Sequence, residues 1–239
     1  MVTIACLLQR AIELDSTSAK LDAELLLAHV LQKPRSYLYT WPGKELTPDQ
    51  QEQFERLFDR RKTGEPVAYL LGRQGFWSLD LSVSSETLIP RPETELLVET
   101  ALQLGASGSD LNVLDLGTGS GAIALALASE RPCWQLTGVD RVAGAVQLAQ
   151  HNALACGLGG VRFLQSDWFS ALAGEKFHLI VSNPPYIALQ DPHLEQGDVR
   201  FEPVSALVSG ADGLDDIRRI LVDSGAHLHE NGWLLLEHG

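Results

Sequence analysis

The sequence holds little cysteine, a single methionine and few positive charges for its 239 residues. Cys6, Cys133 and Cys156 are odd in number, lie far apart and form no Cys-x-x-Cys pair, so neither a disulfide framework nor a thiolate zinc site is expected. They are expected to be reduced packing residues. His227 and His229 fall on an expected helix, where residues two apart point in different directions, so no metal is expected either. No apolar run approaches the roughly 18 residues of a spanning helix. Met1 to Leu14 lacks the basic start, apolar stretch and cleavage site of a secretory leader, so a cytoplasmic address with no membrane partner is expected. Lys and Arg number 18 against 31 Asp and Glu, and the deficit is uneven: the net charge is −1 over Met1 to Asp80 and −12 over Leu81 to Gly239. A protein that grips several phosphates needs a basic face, so no direct nucleic-acid partner is expected.

What is present is 45% hydrophobic residues, enough for one large domain with a smaller one attached. Ile4, Leu7, Leu8, Ala11 and Ile12 recur at helical spacing, and Leu21, Leu25, Leu26, Val30 and Leu31 follow the Ser16-Thr17-Ser18 cap region up to Pro34. Thr47 and Pro48 open a third helix that turns Phe54, Leu57 and Phe58 inward. Residues 1–72 are thus expected to form a small helical bundle, and 73–86 a β-hairpin linker. In that linker a period of two puts Phe76, Ser78 and Asp80 on one face and Leu79, Leu81 and Val83 on the other. Pro92 then opens a helix that runs to Leu102. In residues 87–239 apolar strands alternate with helices: 112–116, 135–139, 161–164, 178–181 and 233–237 read as strands, and 122–129, 143–153 and 214–227 as helices. Such alternation predicts an α/β fold, a doubly wound, mostly parallel sheet that binds its ligand at the strands' carboxyl ends.

Four strand ends carry candidate chemistry. Val113 to Ala122 places Gly117-Thr118-Gly119-Ser120-Gly121 between a strand and a helix, where backbone approaches a ligand closely and N–H groups point outward. The same turn satisfies the dinucleotide pattern with Ala122 as the third small residue, while Asp115 favours a ligand with a cationic amino group. Asp140, at the tip of the second strand, can accept both hydroxyls of a ribose in either cofactor class. Asp167 offers an acceptor for an adenine amino group, and Trp168 beside it a large aromatic surface. After the fourth strand come Asn183-Pro184-Pro185-Tyr186. The prolines stiffen the corner and leave its carbonyls out of any ladder, Asn183 adds a side-chain carbonyl, and Tyr186 a flat wall. Together they suit a planar NH2 group, whose two hydrogens need two acceptors while its nitrogen faces a methyl donor.

Val113 to Gly121 followed by Asn183-Pro184-Pro185-Tyr186 resembles the class I amino-methyltransferases, which include adenine-N6 and protein-glutamine enzymes. Thr87 to Glu95, Gln165 to Phe169 and Asp198-Val199-Arg200-Phe201-Glu202-Pro203 narrow the resemblance to the PrmC/HemK family, over the whole chain. It implies a class I, Rossmann-like S-adenosylmethionine-dependent fold, release of S-adenosylhomocysteine, and a protein substrate, the Gly-Gly-Gln glutamine of class-1 peptide chain release factors. By position, Gly117 to Gly121 would line the methionine part of the cofactor, Asp140 would hold its ribose, and Asp167 and Trp168 would bound its adenine. Asn183 and the Pro184 carbonyl would hold the substrate amide, with Pro185 and Tyr186 beside it and Ile89 to Thr94, with Phe76 or Trp77, on the opposite wall. The helical bundle would dock the release factor. Family members continue beyond the position of Gly239, so a further helix and strand hairpin are expected. Three other readings are weighed: an adenine-N6 nucleic-acid methyltransferase gripping a flipped base, a non-catalytic cofactor-binding module, and an NAD-dependent oxidoreductase, for which no hydride-transfer pair such as Tyr-x-x-x-Lys stands out.

Overall fold

The computed structural model describes residues 2–105 and 110–239. They form two compact units, the first Met1–Gly72 together with Glu195–Phe201, the second Arg73–Leu194 together with Glu202–Gly239.

The first unit is built from α1 (Ile4–Gln9), α2 (Ala19–Leu31), α3 (Arg35–Thr40), α4 (Pro48–Lys62) and α5 (Val67–Leu71). Thr47 caps α4 in a reciprocal box, its Oγ1 accepting from the Gln50 N–H at 3.3 Å while the Gln50 side chain accepts from the Thr47 N–H at 3.0 Å. Phe54 and Phe58 stack at 5.3 Å in the middle of the core. Two expectations from periodicity are corrected. The first helix tightens into a 3-10 turn over Arg10–Glu13, which shifts the phase and leaves Ile12 92% exposed. On α2 the buried face is rotated: Leu21 is exposed, and Asp22 and Glu24 are buried with Ala23, Leu26 and Leu27. Ion pairs permit this, Glu24 with Arg35 and the Tyr39 hydroxyl, Asp22 with Arg61.

Arg61 also explains why Glu195–Phe201, expected within residues 87–239, groups with the bundle. Its guanidinium donates to Asp22 Oδ2 at 2.8 Å, to the Gly64 and Glu65 carbonyls at 3.1 Å and to Asp198 Oδ1 at 2.8 Å, while Arg200 donates to the Thr63 carbonyl at 2.5 Å.

The second unit opens with the antiparallel hairpin β1 (Arg73–Phe76) and β2 (Leu79–Ser82). Its turn resets the side-chain parity, so Phe76 pairs with Leu79 and is buried with Leu81 and Val83 instead of facing away from them. There follow α6 (Glu95–Leu104), β3 (Asn112–Leu116), α7 (Ala122–Glu130), β4 (Gln135–Asp140), α8 (Ala143–Ala155), β5 (Arg162–Gln165), β6 (Phe177–Ser182), α9 (Val204–Leu207), α10 (Asp215–His227) and β7 (Leu228–Leu236). The five strands form one parallel sheet in the order β5-β4-β3-β6-β7. Helix α7 is apolar on every side and buried along Ala122 to Ala128, as a helix laid on a sheet under other elements must be. Since β3 is flanked by β4 on one side and β6 on the other, the chain reverses its direction of travel between β3 and β6, and their carboxyl ends open a crevice. Two smaller expectations also change: Cys6 and Cys133 are exposed and only Cys156 packs, and His229 lies in β7, its ring tilted against His178, while His227 ends α10 stacked on Phe169. No helix among the described residues is long and apolar enough to cross a membrane.

Replacing Arg61 with Ala strands the buried Asp22 carboxylate and releases Asp198. Urea unfolding of R61A is expected to show a loss of about 3–5 kcal/mol relative to the wild type.

Candidate active site

The crevice is a cleft of about 900 Å³, including the solvent at its mouth, at the carboxyl ends of β3, β4, β5 and β6. Its size suits a ligand as large as a nucleoside cofactor. One side is the turn after β3, where Gly117, Thr118, Gly119 and Ser120 face the cleft. Gly119 has φ +55, and a Cβ there would meet no protein atom nearer than Thr87 at 3.9 Å, so the position is a cradle that only a side chain, or a ligand, would fill. Gly121 is different: at φ +86 its Cβ would press on Leu125, Ala149 and Phe163 at 3.1–3.3 Å, so it serves the packing of α7 and does not line the cleft.

Asp115 lies under this turn, fully buried and outside the cleft wall. Its Oδ2 accepts from the Thr118 hydroxyl at 2.6 Å and the Ala124 N–H at 3.2 Å, while Oδ1 is buried with no hydrogen-bond partner. Burial pushes its pKa up to about 7 against those two hydrogen bonds. Asp140 does line the cleft. Its Oδ2 accepts from the Gly119 N–H at 3.0 Å and its Oδ1 from the Val142 N–H at 2.9 Å, which fixes the carboxylate and leaves each oxygen a further lone pair. Burial raises its pKa as well, with the two N–H groups opposing.

After β5, Trp168 lies against Gly117, where a Cβ would stand 3.4 Å from the ring. The residue is held at φ +49, a left-handed conformation rare for an aromatic, by the Ser166 hydroxyl on its carbonyl at 2.7 Å and by its indole N–H on Asp216 Oδ1 at 3.2 Å. Asp167 lines the cleft with its carboxylate exposed, and Arg219 of α10 forks both oxygens at 3.1 and 2.7 Å. After β6, Asn183 and Pro185 face the cleft, while Pro184 is buried and neither it nor Tyr186 is part of the wall. No backbone hydrogen bond among the described residues ends on the Pro184 or Pro185 carbonyl. The Asn183 Nδ2 donates to the Thr94 hydroxyl at 3.1 Å. Phe76, Leu88, Pro90 and Arg91 also line the cleft, and Thr94 does so beside Asn183, but Trp77 does not, its indole being bonded to Glu130 at 2.8 Å.

Several residues of this site carried no signal in the sequence. Glu202 forks Arg91 at 2.7 and 2.8 Å, and helix α9 brings Ser205 and Ala206 to the cleft wall, its Ser205 carbonyl taking the Arg141 guanidinium at 2.7 Å. Asn152 ties the hairpin to the glycine turn, exchanging hydrogen bonds with the Ser82 backbone at 2.8 and 3.0 Å and donating to the Ser120 carbonyl at 2.9 Å. Only the Glu-Pro step at 202–203, quoted for its family resemblance, pointed toward any of them.

Two family profiles match the chain, the PrmC N-terminal domain over residues 7–72 and the methyltransferase small domain over residues 91–198. A Pseudomonas aeruginosa protein named release factor glutamine methyltransferase is 59% identical over all 239 residues, which span 86% of its own length. The chain belongs to that family. An Escherichia coli relative of the same name is 54% identical over 94% of this chain and 80% of its own. A solved S-adenosylmethionine-dependent methyltransferase from Agrobacterium tumefaciens shares the fold at a TM-score of 0.51 and 17% identity, over 70% of this chain and 52% of that one.

Asp115 yields a pH prediction. The folded chain keeps on it a proton that the unfolded chain releases near pH 3.8, so this group lowers stability as the pH rises from about 4 to about 7 and adds no further loss above. Urea unfolding across that range is expected to show the wild type losing stability relative to D115N, in which no charge can form.

Proposed function

We propose that this chain transfers the methyl group of S-adenosylmethionine to the side-chain amide nitrogen of the Gly-Gly-Gln glutamine in class-1 peptide chain release factors, a modification of translation termination in the cytoplasm. The reading is carried by one observation: Asn183 and Pro185 line the same cleft as the glycine turn and Asp140, and no backbone hydrogen bond among the described residues ends on the Pro184 or Pro185 carbonyl. The release factor glutamine methyltransferase name of its relatives in P. aeruginosa and E. coli supplies the substrate class.

The residues fit the cofactor. The Gly119 cradle suits a methionine tail, the lone pairs of Asp140 a ribose diol, and the Trp168 ring a flat base beside Asp167. A cationic amino group bound above Asp115 would favour loss of the proton that burial keeps there, and its buried Oδ1 could then offset that charge. When bound, the cofactor supplies an electrophilic methyl on a charged sulfur. This chain's part is to hold the nucleophile. A glutamine amide attacks poorly because its lone pair is delocalised into the carbonyl, and acceptors on both its N–H bonds, Asn183 Oδ1 and the Pro184 carbonyl, favour a pyramidal nitrogen. Holding it in line supplies up to about 7–11 kcal/mol of the barrier. No strong base is needed, since the proton leaves as the cationic product forms. Tyr186 supports the corner from behind. Residues 1–72 are the proposed docking body for the release factor, 73–86 the joint and 87–239 the catalytic body.

Incubation with labelled S-adenosylmethionine and a release factor, RNA or DNA in parallel, with peptide mapping of the product, is expected to label only the release factor, on its Gly-Gly-Gln glutamine. Label on adenine in RNA or DNA would replace the proposal. N183A is expected to lose at least about a hundredfold in turnover and to keep cofactor affinity by calorimetry.

A further inference from the structure

Asn183 can help the reaction only if its amide is turned the right way, because its oxygen accepts and its NH2 donates. The structure contains a device for this at the neighbouring strand end. Strands β6 and β7 are paired in parallel up to Ser182 and Leu236, and the next N–H, that of Glu237, donates to the Ser182 carbonyl at 3.0 Å. The residues just beyond the last pair, Asn183 and Glu237, therefore stand side by side, with the buried Thr94 against both. We infer that Glu237 is a positioning residue: as a carboxylate it takes the Thr94 proton, so Thr94 must accept from Asn183 Nδ2 and Asn183 turns its carbonyl oxygen to the cleft.

A carboxylate has no proton to give, and a threonine hydroxyl has one. While Glu237 is ionised, the direction Asn183 Nδ2–H to Thr94 Oγ1–H to carboxylate is the one in which each group has a partner. A protonated Glu237 can donate to Thr94 instead, Thr94 can then donate to Asn183 Oδ1, and the flipped amide would set an NH2 donor against the NH2 of the substrate. Glu237 is half-buried, and its Oε2 has no hydrogen-bond partner among the described residues. Burial moves its pKa above the usual carboxylate range, against the Thr94 and Asn183 side chains and with the Glu93 charge adding to the rise. The other titratable group that senses it is the Tyr186 phenol, itself raised by burial and by Glu237, with the Arg91 charge opposing.

The inference rests on the glutamine reading only for what Asn183 faces, and the test separates the two. In 1H–15N spectra of the full chain, the Asn183 side-chain NH2 pair, assigned by its disappearance in N183A, is expected to shift as the pH is lowered through the Glu237 titration. E237A and T94V are expected to abolish that shift. In the methylation assay T94V is expected to lose roughly tenfold to a hundredfold in kcat, with cofactor Kd and release-factor KM within about threefold of wild type. T94S, which keeps the hydroxyl, is expected to recover most of the loss. E237A is expected to lose the acid limb that wild-type kcat shows. A pH-independent Asn183 signal in the wild type overturns the inference, and so does a T94V enzyme with wild-type kcat or one whose cofactor affinity falls as far as its kcat. A wild type that shows the titration but methylates no release factor contradicts the glutamine reading while supporting the role of Glu237.

Discussion

The whole site depends on a constraint of chain topology: two adjacent parallel strands, β3 and β6, are followed by segments that leave the sheet toward different neighbours. The glycine turn after one and the Asn183 side chain with Pro185 after the other therefore face a common space. The first suits the polar end of a cofactor, the second a donor group of a substrate. Glycine in the first turn and proline in the second serve the same purpose by opposite means. Gly119 removes a side chain that would fill the cleft, while Pro184 and Pro185 remove N–H groups and stiffen the corner.

Around this crevice, acidic residues do the arranging more than the binding. Asp115 lies beneath the turn and holds it through Thr118 and Ala124. Asp216 fixes the Trp168 indole and Glu202 fixes Arg91. In the helical unit Asp22 and Asp198 share Arg61. The net charge of −13 is thus more than a solvated surface: several of its carboxylates are buried and partnered.

Much of this was legible in the sequence because its signals are local. A strand that ends in Gly117-Thr118-Gly119-Ser120-Gly121 and another that ends in Asn183-Pro184-Pro185-Tyr186 announce their positions on a parallel sheet, since each motif needs its own strand end and nothing else. What was not legible is pairwise and distant. Arg219 reaches Asp167 across 52 positions, Arg61 reaches Asp198 across 137, and Glu237 meets Asn183 because their strands are neighbours. The misplaced faces have the same origin. Ile12 was assigned inward by a 3.6-residue period that the 3-10 turn breaks, and Leu21 inward by the same period on a helix whose buried face instead carries the ion-paired Asp22 and Glu24. Phe76 was assigned to the wrong face because a hairpin turn resets a parity that a single strand would keep.

The most direct test of the central claim is a crystal structure of the chain with S-adenosylhomocysteine and a peptide carrying Gly-Gly-Gln. The glutamine nitrogen is expected between Asn183 Oδ1 and the Pro184 carbonyl, facing the sulfur, which is expected over the Gly117 to Ser120 turn. A glutamine side chain outside this crevice, or a nucleoside bound away from Asp140, would contradict it.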